Sequence, residues 1–352
     1  MRNAKLYGIV IMLILSISSV KAQDIHFSQF YASPMNLNPA TTGVIGCDMR
    51  FSAIYRNQWA SVMGNKAFNT FSAGFDMRRP VGRWDYYGVG LNLWADKAGA
   101  SSFSSMSISL NGSFMKRLGG RRSNDMYLSA GGSLGFSQKS IRTLNLQFGS
   151  QWNGDAFDGS LSTGENFAGW DTRVSYGDIS GGLYWWMGLD KKNRSNLHGG
   201  IAFHHLTKAN QAFTSRGFDP LFMKTTINAG GEFRISKKLA MSPNVVMMFQ
   251  GPSAQVNMGT SLRFLFNKRD DSQSFEFGPW YRIVSSPTGA IASDAAVIMT
   301  RLRYGGSAFG ISYDINVSRL NPASRGNGGF ELSYMFIFCG NGKNRPMACP
   351  TF

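Results

Sequence analysis

The chain has 352 residues, a formal net charge of +16 from 36 Lys and Arg against 20 Asp and Glu, and only 16% charged residues, fewer than the quarter or so usual for a soluble domain. Beyond residue 22 no uninterrupted apolar stretch approaches the about twenty residues that a membrane-crossing helix needs, so a helical membrane protein is excluded. A closed transmembrane β-barrel reconciles the low charge, the many Gly and aromatic residues and the unremarkable hydropathy, because its apolar outer face alternates with a polar lumen.

In chain order, residues 1–22 read as a secretory signal peptide. Arg2 and Lys5 precede an apolar run from Leu6 to Val20, and Val20-Lys21-Ala22 offers a cleavage site. Loss of Arg2, Lys5 and Lys21 with the leader would still leave a strongly basic chain. Nucleic acid is not expected as a partner, since an exported chain never meets it and the charge forms no compact stripe. Residues 23–46 precede the first strand and are too long to be only a tether.

Period-two alternation then dominates. Fourteen candidate strands lie near 47–57, 67–77, 86–95, 102–116, 125–139, 174–188, 196–206, 223–235, 239–250, 253–267, 273–283, 292–303, 306–318 and 328–338, forming a transmembrane barrel over 47–338. The alternation is cleanest late in the chain: Phe309, Ile311, Tyr313, Ile315 and Val317 oppose Gly310, Ser312, Asp314, Asn316 and Ser318. The third and sixth strands are thinned by Gly88, Gly90, Gly181 and Gly182. Residues 339–352 form a C-terminal tail, expected in the periplasm with the N-terminal segment.

Every second linker is basic, with Arg78, Arg79, Arg83, Lys116, Arg117, Arg121 and Arg122 the leading examples. Most of these linkers are short, as periplasmic turns are, whereas the alternate ones include long loops at 140–173 and 207–222. A basic periplasmic rim formed by Arg78, Arg79, Lys116, Arg117, Arg121 and Arg122 follows, serving either to keep the rim solvated or to dock an acidic partner. Trp59, Trp84, Trp94, Trp152, Trp170 and Trp185-Trp186 fall near strand ends and suit interfacial girdles.

Glu232, Arg234, Arg263, Glu276, Arg282, Asp314 and Glu331 fall on the polar face of their strands, where mixed signs favour pairing in the lumen. They either fill the interior as a structural network or recognise an inserted peptide. In His204-His205, adjacent strand residues point to opposite faces, which places one ring in the lumen and the other near the interface. No metal site is expected there, no catalytic residues are assigned, and no cofactor is expected. The acidic spacing in Asn153-Gly154-Asp155-Ala156-Phe157-Asp158-Gly159 does not fit an EF-hand loop. Three cysteines in an oxidising compartment suggest one disulfide and one thiol. Barrel closure would bring Cys47 and Cys339 to one rim, while Cys339 with Cys349 would close only a short local loop.

The run Gln23-Asp24-Ile25-His26-Phe27-Ser28-Gln29-Phe30-Tyr31, then Asn38-Pro39-Ala40 and Tyr55-Arg56-Asn57-Gln58-Trp59, resembles the start of the PorP/SprF family of type IX secretion outer-membrane proteins. Further matching pieces run along the chain: Gln138-Lys139-Ser140-Ile141, His204-His205-Leu206-Thr207, Ser242-Pro243-Asn244, Trp280-Tyr281-Arg282, Ser312-Tyr313-Asp314, Glu331-Leu332-Ser333-Tyr334 and Cys349-Pro350-Thr351-Phe352. The resemblance implies residence in the outer membrane of a Gram-negative bacterium and a role in type IX secretion and gliding motility. It implies partners among secreted or surface-displayed cargo, bound through C-terminal sorting domains, and among periplasmic secretion components. It also implies that residues 23–46 are ordered at the rim or inside the lumen, with partner-binding residues His26, Phe27, Gln29, Phe30, Tyr31, Asn38, Pro39, Arg56 and Trp59. The competing expectation is a channel for small or apolar solutes, since an unfilled barrel of this size would be wide enough.

Overall fold

A computed structural model describes residues 24–99, 102–119, 125–142, 146–165, 170–190, 195–267, 272–285 and 291–340. Fourteen antiparallel strands close into a barrel in sequential order, with the last paired to the first. They are β1 (Met49–Gln58), β2 (Phe68–Val81), β3 (Asp85–Ala98), β4 (Phe103–Gly119), β5 (Met126–Ser140), β6 (Arg173–Asp190) and β7 (Ser195–His204). The second half comprises β8 (Lys224–Arg234), β9 (Leu239–Gln250), β10 (Ser253–Leu265), β11 (Ser274–Ser285), β12 (Ile291–Tyr304), β13 (Ser307–Asn316) and β14 (Asn327–Phe338). Each pairs with its sequence neighbour, so no strand edge is left to template another chain.

The alternation that forms the strands also fixes their two faces. On β13, Phe309, Ile311 and Tyr313 are exposed on the outer face, while Gly310, Ser312, Asp314 and Asn316 are buried inward. A one-residue slip would turn the acid outward into lipid. Cys47 and Cys339 are joined by a disulfide at the β1–β14 seam, where Asp48 N–H donates to the Phe338 carbonyl at 3.1 Å. The short connections 82–84, 235–238 and 305–306 share this end of the barrel, called here the turn side. The long connections 141–172 and 205–223 lie at the opposite, loop side.

Three local departures from the expected pattern matter for the site. β2 runs four residues past the expected end, because Arg78 keeps the inward parity of Ser72, Gly74 and Asp76; it is 1% exposed, so it does not stand on a solvated rim. β7 stops at His204, and His205 takes φ 61°, in the left-handed region. That reversal breaks the alternation, so both imidazoles are buried inside the barrel and neither reaches the membrane interface. Trp186 likewise points inward and is fully buried, and Trp94 lines a lumen cavity, so neither belongs to an outer girdle.

The core sits in the lumen. Residues 24–46 thread it as a compact peptide built from a 3-10 turn (Phe30–Ala32), one α-helical turn (Pro34–Leu37) and a second 3-10 turn (Pro39–Thr41). Pro34 and Pro39 each start one of these turns, where the missing N–H costs nothing. Phe27, Phe30, Tyr31, Leu37, Ala40 and Val44 pack with Trp280, Met299, Met115 and Trp186 of the wall in one buried cluster.

Candidate functional site: the occupied lumen

The threaded peptide is held at four levels, from the loop side downward. At the top, the Asp24 amide donates to Gln250 Oε1 at 2.9 Å, and its carboxylate meets Lys224 Nζ at 3.3 Å and the His205 ring. His205 also bonds Asp178 through Nδ1 at 2.8 Å. Burial opposes charge on the His205 ring, but Asp24 and Asp178 outweigh it and raise its pKa to about 9. Burial likewise opposes ionisation of Asp24, yet Lys224 and His205 hold it well below the usual carboxylate range.

One level down, Ser28 is the hub. Its amide donates to Glu331 Oε1 at 2.7 Å and its hydroxyl to Asp314 Oδ1 at 2.7 Å, while the same oxygen accepts from Arg56 Nη1 at 3.1 Å and Arg282 Nη1 at 2.8 Å. Gln29 N–H donates to Glu331 Oε2 at 2.8 Å, and Ser333 Oγ donates to Gln29 Oε1 at 2.7 Å. Behind this, Arg56 pairs with Asp314 at 3.0 Å and with Glu331 at 2.5 Å, and Arg282 pairs with Asp314 at 2.7 Å and Asp294 at 2.5 Å. The desolvation of these charges is offset by pairing together with hydrogen bonds to both oxygens of Asp314 and of Glu331. His26 sits against the same guanidinium groups. Burial, with Arg56 and Arg282 nearby, pushes its pKa well below the ordinary histidine value.

Beside the hub, Arg301 stands 4.4 Å over the Tyr31 ring and pairs with Glu276 at 2.5 Å, and Ser261 Oγ donates to Glu276 at 2.7 Å. Arg263 holds Glu232 at 3.0 Å. Tyr31 OH reaches Gln29 Oε1 at 3.3 Å and the Met299 sulfur. Arg234 is half-buried near the turn side, where its amide meets Ser195 Oγ at 3.0 Å.

The third level is Asn38, fully buried, whose Nδ2 donates to the carbonyls of Leu183 at 2.9 Å and Ile201 at 3.3 Å while its Oδ1 accepts from Ala40 N–H at 2.9 Å. Glycine makes this approach possible: a methyl at Gly182 would collide with Asn38 Oδ1, and one at Gly131 would come within 2.6 Å of Ala40 Cα. The glycines that thin the third and sixth strands are thus in part the floor on which the peptide lies. At the fourth level Arg50 grips Asp76 through Nε at 2.9 Å and Nη2 at 2.7 Å, and Asp76 Oδ2 accepts from Gly43 N–H at 2.7 Å.

His26, Phe27, Gln29, Phe30, Tyr31, Asn38, Pro39 and Arg56 therefore converge inside the lumen, whereas Trp59 lies at the loop side, capping a short helix with φ 67°. Arg50, Asp76, Asp294 and Arg301 are lumen charges that single-strand reading overlooked; inward parity could have found Arg50, Asp76 and Arg301, whereas Asp294 sits at the register shift between β11 and β12. The basic residues do not share one surface. Arg78 is buried, Arg79 is half-buried, Lys116 is exposed and pairs with Asp85 at 2.6 Å, and Arg117 pairs with Asp125 at 2.6 Å under the Trp84 ring. Arg121, Arg122 and Cys349 lie outside the described residues.

Among solved structures, the chain is similar to the Ralstonia pickettii toluene transporter TbuX at 11% identity, covering 87% of this chain and 94% of that one with a TM-score of 0.46. It is similar to the Pseudomonas putida toluene transporter TodX at 12% identity, covering 87% and 93% with a TM-score of 0.47. CdiB from Acinetobacter baumannii matches at 9% identity over 82% of this chain and 60% of that one, with a TM-score of 0.42. No curated protein matches the sequence. The family model described as type IX secretion system membrane protein PorP/SprF matches residues 19–336. With that match over most of a closed fourteen-stranded barrel, the chain is an outer-membrane protein belonging to the PorP/SprF family of the type IX secretion system.

Proposed function

We propose that this barrel is a non-enzymatic accessory of type IX secretion that retains exported cargo at the cell surface, through the cargo's C-terminal sorting domain, rather than a pore for solutes. The observation that carries the reading is the four-level anchoring of residues 24–46 inside the lumen, which commits the interior to a peptide of the chain itself. Cargo and secretion components then meet the barrel at its ends. The loop side, with connections 141–172 and 205–223, carries exposed Trp152, Phe157, Trp170 and Phe218 and serves the cargo. The turn side, with exposed Arg83, Lys116, Lys237 and Lys238, serves periplasmic components. Aromatic side chains at a solvent-exposed surface are the usual anchors of protein interfaces.

The test joins two measurements on the same protein. Affinity capture from outer membranes with mass spectrometry should recover a large exported protein, and the purified barrel should be electrically silent in a planar bilayer. A steady conductance together with no recovered cargo would establish the solute channel instead.

A further inference from the structure

At the loop side, the lipid-facing surface of β3 to β6 carries a different chemistry from that of other strands. Elsewhere the loop-side end of the outer face is neutral and bonded to itself: Tyr55 OH donates to Asn69 Oδ1 at 2.7 Å, Tyr281 OH to Ser293 Oγ at 2.7 Å and Tyr313 OH to Asn327 Oδ1 at 2.8 Å. On β3 to β6 the register instead aligns Lys97 with Ser104, Ser104 with Ser140 and Ser140 with Arg173 in one transverse row. Alternation gives all four the outward face, while the intervening Asp96 turns inward and accepts from Thr70 Oγ1 at 2.6 Å. Lys97 and Arg173 are exposed and make no ion pair among the described residues. Their backbones stand three strand spacings apart, about 14 Å at about 4.8 Å each. Between them Ser104 Oγ and Ser140 Oγ lie 2.7 Å apart, an arrangement that uses one hydroxyl proton and leaves the other to donate outward.

Four to six residues further along each strand, about 13–20 Å toward the turn side, an apolar groove opens between Leu91, Ile108, Leu110, Leu134, Phe136 and Ile179. Its volume of about 620 Å³ falls within the roughly 300–1,000 Å³ of small-molecule sites. Its floor is bare backbone at Gly177, where a methyl would meet nothing nearer than the Gly135 carbonyl at 4.0 Å, so the packing of the wall does not itself require the glycine. Long loops of outer-membrane barrels lie outside the cell, which puts the cationic row at the headgroup level of the outer leaflet and the groove at the level of its acyl chains. We infer that this face binds one bis-phosphorylated glycolipid of the outer leaflet, of the lipid A type. One phosphate lies on Lys97 and the other on the guanidinium fork of Arg173, the sugar headgroup spans the serine pair, and an acyl chain fills the groove over Gly177. A glycerophospholipid with a single phosphate engages one of the two cations and leaves the other without a counter-charge.

Native mass spectrometry of the full chain, released from outer membranes in mild detergent, reads the bound lipid directly. The parental protein should carry one bis-phosphorylated glycolipid. Lys97→Gln with Arg173→Gln should lower its retention about tenfold or more, since each cation near an anionic headgroup is worth about a fivefold change. Gly177→Leu, which fills the groove and leaves the cationic row intact, should also lower it several-fold. Lys66→Gln with Arg319→Gln, which removes two exposed loop-side cations elsewhere, should leave retention unchanged. In phosphatidylcholine vesicles, bis-phosphorylated lipid A should raise the thermal midpoint of the barrel more than its monophosphorylated form or phosphatidylglycerol does. Equal stabilisation by phosphatidylglycerol would reduce the row to a general attraction for anionic lipid and overturn the proposal, as would retention that no substitution in the row or the groove alters.

Discussion

Glu331 is the residue on which most of the peptide's grip converges, because its two oxygens accept the Ser28 and Gln29 amides as well as Arg56. Breaking a buried pair by removing one partner costs about 3–5 kcal/mol. Glu331→Ala should therefore lower the thermal midpoint in detergent markedly and make residues 24–46 newly sensitive to protease; an unchanged digestion pattern would remove Glu331 from the anchoring role. The top of the peptide should respond to pH. The pKa of His205, raised to about 9, means that its contribution is complete below about 6.5, its unfolded value, and is lost as pH rises through 9. Asp24, whose pKa is depressed, contributes above its ordinary value near 4 and loses that contribution as pH falls. The Asp24 end should thus be held most firmly between about pH 4 and 6.5, and His205→Gln should abolish the alkaline release, read by hydrogen exchange of the Asp24 and Ile25 amides. Single-residue reading could find inward charges such as Arg263, Glu276 and Asp314 by parity alone. It could not find who pairs with whom, because Arg56 and Asp314 are brought together only by barrel closure. It also misplaced His205, since nothing in a dipeptide announces that the second residue will adopt a positive φ.

At the scale of elements, the strands were legible because each face meets a different medium and the period of two is unambiguous. The shortfall came where a strand carries charge inward to its very end, as β2 does through Arg78, since the same residues look like a basic turn. The register has a direct test on β4. Leu110 is 67% exposed on the outer face and Ser109 lines the lumen cavity. Leu110→Arg should cost about 2–4 kcal/mol and reduce heat-modifiable barrel in the outer membrane, whereas Ser109→Arg should assemble at the parental level. The fit of peptide to wall can be probed by a double-mutant cycle. Gly182→Ala alone should destabilise the protein through its collision with Asn38, and adding Asn38→Ala should recover part of the loss. Strictly additive losses would mean that the two positions do not touch.

For the molecule as a whole, the seam disulfide links residues 292 apart, and removing such a link typically costs about 2–5 kcal/mol. Cys47→Ser with Cys339→Ser should therefore give a barrel that melts earlier without reductant and no longer shifts when reductant is added. The threaded peptide has a different consequence, concerning the order of events in biogenesis. Asp24 is tied to Lys224 and Gln250 at the loop side, while Cys47 is tied to Cys339 at the turn side, so the two ends of residues 24–47 emerge on opposite faces of the membrane. Whatever is joined to Asp24 must therefore pass through the bore or have been cut away before the bore is filled. If residues 1–22 serve as the leader that the sequence predicts, a precursor still attached through them to the inner membrane could close its strands into a cylinder and yet could not draw the peptide through. Blocking leader removal should accordingly trap a hollow, conducting intermediate, and a short epitope placed before Asp24 in the finished protein should be reached by antibody from outside intact cells.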